Sequence, residues 1–95
     1  MNGRHLLEGE SKPRLTPHVR LRFDEKRDRW VVLAPERLYV PDEIAIEVLK
    51  LCDGKVSVGE MIEGLAERYQ ASRKTIEKDV LELLQGLADE GILVP

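Results

Sequence analysis

The hydrophobic period changes once along this chain, and it changes at a proline. In HVRLRFDEKRDRWVVLAPERLYVP, residues 18–41, Val19, Leu21 and Phe23 alternate with Arg20 and Arg22, the pattern of a half-buried strand. DEKRDR follows with six charges and no apolar residue, which predicts the loop of a hairpin; without glycine a tight two-residue turn is not favoured there. Residues 30–34 are apolar on both alternating sets, as in a middle strand covered on more than one side. Pro35 interrupts, residues 36–40 (ERLYV) read as a short third strand, and Pro41 ends it because proline offers no ladder donor. The predicted arrangement is a three-stranded antiparallel meander, with strands at about 18–24, 29–34 and 36–40 and the third on an edge.

Beyond Pro41 the period is that of a helix. Asp42 stands as an N-cap before Ile44, Val48, Leu49 and Leu51, and the Asp53-Gly54 pair supplies a left-handed stop. SVGE, residues 57–60, is a capping box; the helix behind it is expected to bury Met61, Ile62, Leu65, Ala66 and Tyr69. Ser72 is placed to cap a third helix, whose Ile76, Val80, Leu83, Leu84 and Leu87 fall within about 100° of one another on the helical wheel. Gly91 closes it, and ILVP adds a terminal apolar segment. The predicted helices span about 43–53, 58–69 and 73–90. Residues 1–16 are polar and without period, the mark of a flexible tail before a single domain over 17–95. Three strands followed by three helices make an α+β domain, a sheet set before a winged helix-turn-helix-like bundle.

Few chemistries fit these residues. Aromatics are 4% of the 95 residues, so the core of this one domain is built from Leu, Ile, Val and Ala. No run approaches the ~18 apolar residues of a membrane span, and the N-terminus lacks the apolar stretch and small-residue cleavage site of a secretory signal. The single cysteine, Cys52, excludes an internal disulfide and fits a reducing, cytoplasmic compartment. Its position in the last turn of an apolar helix marks it as core filling, and with only His5 and His18 as further soft ligands no metal site forms. The carboxylates Glu60, Glu63 and Glu67 are spaced as a solvated helix face, and neither phosphate-loop spacing of glycines occurs. No catalytic group, metal or cofactor is expected.

A helix-turn-helix raises DNA as a partner, and charge argues against it. The third helix carries Arg73, Lys74 and Lys78 against Glu77, Asp79, Glu82, Asp89 and Glu90, a net −2 where phosphate neutralisation needs cations. Residues 1–41 hold nine Lys/Arg and six Asp/Glu, whereas residues 42–95 hold six and twelve. A winged-helix DNA-binding regulator, using the basic strands as a wing, is therefore the secondary reading. The edge strand points elsewhere. An exposed edge invites pairing with another chain, and strand addition of a peptide is one use of it. Leu81 lies about 120° from the centre of the apolar stripe, near Glu77 and Ala88 in angle. With Leu84 it would wall a groove beside the edge, and Arg73 and Lys74 would meet acidic residues of a guest.

The runs VRLRFDEKRDRWVVLAPERLYVP, AIEVLKLCDGKVSVGEMIEGLAERY and DVLELLQGLADEGIL resemble the pyrroloquinoline quinone biosynthesis protein D family over about residues 13–94. The most specific pieces are LAPE at 33–36, LCDG at 51–54 and the spacing to SVGEMI at 57–62. The resemblance implies a peptide chaperone rather than an enzyme. It implies binding of the leader of the precursor peptide PqqA and its presentation to the radical S-adenosylmethionine enzyme PqqE. It further implies that the leader adds as a strand beside the third strand and lies against the third helix. The expected peptide-binding residues are Glu36, Arg37, Leu38, Tyr39, Val40, Arg73, Lys74, Glu77, Leu81 and Leu84, in a cytoplasmic monomer or homodimer without nucleic acid or membrane partners. The chain departs from the family at Arg37, where glycine is expected after proline-glutamate, and at Val40-Pro41, where leucine-asparagine is usual. Both changes bear on the third strand, one at its entry and one at its end.

Overall fold

The computed structural model describes residues 6–94, so His5 and the first residues of the expected tail lie outside the described residues. Strands β1 (Arg14–Leu15), β2 (Arg20–Asp24), β3 (Arg29–Ala34) and β4 (Arg37–Tyr39) precede helices α1 (Glu43–Lys50), α2 (Val58–Tyr69) and α3 (Arg73–Asp89), and β5 (Leu93–Val94) closes the chain. The class is α+β. β2, β3 and β4 form one antiparallel sheet in that order, with β4 at its edge.

Register divides the sheet into two faces. Leu21 stands opposite Val32 and Arg22 opposite Val31; across the next pair Val32 meets Tyr39, Leu33 meets Leu38 and Ala34 meets Arg37. Leu21, Val32, Ala34 and Tyr39 therefore share the inner face, packed with Val19, Leu49, Ile92 and Leu87. Arg20, Arg22, Arg29, Val31, Leu33 and Leu38 share the outer face. The charged hairpin loop is a four-residue turn rather than a tight one, and the Asp24 carboxylate organises it by accepting the Lys26 and Arg27 amides. Between β3 and β4 the turn is only Pro35 and Glu36, with Glu36 at φ 61°. Proline presets the first turn position and a left-handed residue is required at the second, a conformation that costs a side-chain-bearing residue roughly 1–2 kcal/mol. The family's glycine falls one residue later, at Arg37, which stands in the ladder opposite Ala34. The turn thus forms without it.

The helix signals act largely as the sequence predicts. The Asp42 side chain accepts from the Ala45 amide at 2.8 Å. In the capping box the Ser57 hydroxyl accepts from the Glu60 amide at 3.1 Å, while the Glu60 carboxylate accepts from the Ser57 amide at 2.9 Å. Ser72 occupies the N-cap position of α3 but makes no side-chain cap bond. Tyr69, expected in the core, is one of the exposed large hydrophobic residues, because it falls in the last turn of α2. The main core joins Val48, Met61, Ile62, Leu65, Ile76, Val80 and Leu84, with Leu83 and Leu87 partly buried against it. Lys50, at the end of α1, sets its ammonium 4.5 Å from the Trp30 ring centroid and ties that helix to the hairpin.

Residues 6–16, expected as part of a flexible tail, are docked on the domain. Leu7 and Pro13 are buried, and β1 pairs antiparallel with β5 in a second, two-stranded sheet. The reason lies at the start of α2. A helix leaves its first amides without internal partners, and here the Gly9 and Ser11 carbonyls accept from Gly59 and Val58 at 2.9 and 2.8 Å. With the capping box, every amide from Ser57 to Glu60 is satisfied. A Cβ at Gly59 would lie 3.3 Å from the Gly9 oxygen, a tight contact that the arm would relieve only by shifting a few tenths of an ångström.

Candidate functional site

The edge strand can be built atom by atom from its pairing. A two-residue turn makes Ala34 and Arg37 a hydrogen-bonded pair, so hydrogen bonding alternates to Val32 and Tyr39 and skips Leu33 and Leu38. The amide and carbonyl of Leu38 consequently point away from β3, toward the free edge. By the same alternation Val40 offers the next outward pair, and the donor that Pro41 lacks belongs to the side facing β3. The proline therefore ends the internal ladder without shortening the outer one. Leu38 and Val40 are 57% and 52% exposed.

The inner side of β4 is clasped to the end of α3. The Tyr39 hydroxyl donates to Glu90 Oε2 at 2.9 Å, Arg37 Nη2 donates to the Glu90 carbonyl at 3.0 Å, and the Arg37 guanidinium lies 5.7 Å from the Tyr39 ring centroid. Removal from water, and then the bond to Glu90, push the Tyr39 hydroxyl above its ordinary pKa of 10. Glu90 thereby identifies the flank of α3 that β4 approaches. At 3.6 residues per turn, Asp79, Leu83 and Gly86 lie within about 40° of Glu90 on that flank. A Cβ at Gly86 would meet nothing within 4 Å.

The expected helix residues stand at different places on α3. Leu84 has no exposure at all and belongs to the core, so it lines no open groove. Leu81, nine residues before Glu90, is turned about 180° from it. It sits on the flank of Gln85, whose side-chain oxygen accepts from the Leu7 amide of the docked arm at 3.0 Å. Lys74, Glu77 and Leu81 do share a shallow depression on α3 with Thr75, Lys78 and Asp79, but no β4 residue lines it. Arg73 pairs with Glu77 at 3.6 Å and lies about 25 Å along the helix from Glu90. The structure brings together Glu36, Arg37, Leu38, Tyr39 and Val40 but does not bring Arg73, Lys74, Glu77 or Leu81 to them. Glu90 was not among the expected residues; Asp79, Leu83 and Gly86 share its angle on the wheel. Only the tertiary contact of Glu90 reveals its neighbour.

No reactive group enters this site. Cys52 is buried among the core residues, and loss of solvation, with a smaller contribution from Asp53, pushes its thiol up to about 12. Among the described residues no group of three His, Cys, Asp or Glu side chains is placed to hold a metal ion. No helix among them is long and apolar enough to cross a membrane. The site offers a strand edge, apolar side chains and one polar clasp, which suits binding and supplies no acid, base or nucleophile pair.

Comparison with known proteins agrees with that character. The chain is similar to the PqqA binding protein of Rhodopseudomonas palustris strain HaA2, 53% identical over 94 residues that cover 98% of this chain and 92% of the relative. Its fold is similar to the solution structure of the PqqD truncation of Methylobacterium extorquens PqqCD, described as a functional and stand-alone recognition element for ribosomally synthesized and post-translationally modified peptides. The TM-score there is 0.78 at 44% identity, covering 94% of this chain and 95% of that one. A lasso peptide synthetase B1 complexed with its leader peptide shares the fold, with a TM-score of 0.75 at 22% identity, covering 90% of this chain and all of that one. The first of these is named for binding PqqA and the second for recognition. Residues 29–93 match the family described as coenzyme PQQ synthesis protein D, and the chain belongs to that PqqD family.

Proposed function

We propose that this protein binds the precursor peptide PqqA by strand addition to the outer edge of β4 and presents it to the radical S-adenosylmethionine enzyme PqqE in the cytoplasm. The observation that carries the reading is the vacant outward ladder at Leu38 and Val40, on an edge strand that Arg37 and Tyr39 clasp to Glu90. Backbone bonds to Leu38 and Val40 give affinity without regard to sequence, about 1 kcal/mol net each. Ordering the guest costs several kcal/mol, so side-chain contacts decide whether it binds. Glu36 and Arg37 bound the site at the turn, and the Arg37–Tyr39–Glu90 clasp holds the edge in position against α3. Arg73, about 25 Å along α3 from Glu90, lies beyond the roughly 10–17 Å that three to five paired guest residues span. The protein is a chaperone in this scheme, not an enzyme, and it raises the local concentration of the reactive segment at the modifying enzyme.

Titration of fluorescently labelled PqqA tests the proposal. Saturable binding that is weakly salt-dependent supports it; an absence of binding at any salt concentration contradicts it. The winged helix-turn-helix comparison belongs to the same proposal, since α2 and α3 are joined by residues 70–72 alone. If the fold served DNA instead, duplex binding would appear and would fall steeply with ionic strength.

A further inference from the structure

The outer face of the β2–β3–β4 sheet carries a feature that neither the clasp nor the edge explains. Val31 is only 4% exposed, yet it belongs to neither of the two core clusters. It lies with Leu33 and Leu38 on the floor of a concavity of about 590 Å³, whose rim is Arg22, Phe23, Asp24, Glu25 and Lys26. Arg22 makes no ion pair among the described residues. Leu38 is both the residue with its backbone turned to the free edge and the wall of this concavity nearest that edge.

We propose that the concavity is a subsite for one aromatic side chain of the guest peptide, carried by the residue that pairs with Leu38. The inference rests on the strand-addition reading and extends it from backbone pairing to side-chain selection. A guest residue that exchanges both hydrogen bonds with Leu38 sets its Cα about 5.5 Å away and projects its side chain to the same face as Leu38's, the outer one. From there the Leu33 position on β3 is two strands distant, roughly 10 Å. A short side chain stops at Leu38; a long planar one leans over it onto Leu33 and Val31. The Arg22 guanidinium at the rim then meets a ring face in a cation–π contact. An anionic nucleic acid fits less well, because Asp24 and Glu25 stand on the same rim and oppose a phosphate backbone.

The test is a double-mutant titration with labelled PqqA in which each peptide residue is replaced in turn by alanine. Leu33→Ser and Arg22→Ala are made in the protein, and melting curves establish that both fold. The proposal expects one aromatic peptide position whose alanine replacement weakens binding to wild type about tenfold and has little effect on Leu33→Ser. Arg22→Ala is expected to weaken binding about threefold, again only while that aromatic is present. Wild-type binding that Leu33→Ser and Arg22→Ala leave unchanged overturns the subsite while leaving strand addition intact. Equal losses for every peptide variant, or a change of oligomeric state in Leu33→Ser that marks a second copy as the occupant, also overturn it. If wild type fails to bind PqqA at all, the strand-addition reading falls and the subsite with it.

Discussion

Leu38→Pro isolates a single atom of the proposed interaction. In the ladder between β3 and β4 the hydrogen-bonded pairs are Ala34 with Arg37 and Val32 with Tyr39, so the Leu38 amide serves no internal bond. Proline on an edge strand is tolerated where its missing donor faces solvent. The substitution should leave β4 paired and the melting temperature close to that of Leu38→Ala, the control for loss of the side chain. Guest binding should respond differently. One ladder bond is lost, about 0.5–1.5 kcal/mol, and the guest carbonyl that it satisfied is left unpaired, about 1–3 kcal/mol if shielded from water. Taking about 1.5–3 kcal/mol together, Leu38→Pro should bind PqqA roughly tenfold to 150-fold more weakly than Leu38→Ala. Fluorescence anisotropy with labelled peptide measures both constants. Equal affinities for the two variants would refute pairing at this edge, however tightly the wild type binds.

Gly86→Leu should raise helix stability by roughly 0.5–1 kcal/mol, since the space beyond that glycine is open. It should also weaken PqqA binding several-fold if the guest lies on the Glu90 flank; the Leu81 flank, tested by Lys74→Glu, should be indifferent. Ser57→Ala should cost about 1 kcal/mol, read as a melting point lower by about 4–8 °C. The bonds from the Ser57 backbone, and then from its side chain, hold the Glu60 carboxyl below its ordinary range. A depressed carboxyl contributes stability above its unfolded pKa and loses it as pH falls through the folded value. The stability gap between wild type and Glu60→Gln should therefore close as pH drops below about 4. Tyr39 is shifted the other way, so its contribution is complete below pH 10 and is lost as pH rises through the raised folded value. In a Tyr69→Phe background, absorbance titration should show tyrosinate forming above pH 10, and Glu90→Ala should move that midpoint down.

The change of period at Pro41 made the sheet-then-helices order legible, and Asp42 and the SVGE box mark two helix starts that the structure confirms in detail. The edge was legible as well, because Pro35 and Pro41 bracket a strand too short for a partner on each side. The helix wall was not. A wheel tells which residues share a face, but which neighbour each face meets depends on where distant segments settle. Leu81 and Glu90 differ by half a turn, and Glu90 is the one that Arg37 and Tyr39 bond. Leu84, expected in the wall, belongs to a stripe whose centre is the core. The docked arm escaped notice for a different reason: it binds through the Gly9 and Ser11 carbonyls, and backbone oxygens leave no periodic trace in side-chain identity. Ser72 carries the right residue type for a cap, but its hydroxyl makes no cap bond.

Amide hydrogen exchange with and without PqqA reads the central claim directly. The free protein should exchange rapidly at Leu38 and Val40, whose amides face the open edge, and slowly at Tyr39, whose amide is held by β3. Saturating peptide should slow Leu38 and Val40 by an order of magnitude or more and leave the outer face of α3 around Lys74 and Lys78 unchanged. Peptide that binds while Leu38 and Val40 keep exchanging freely would contradict strand addition at β4.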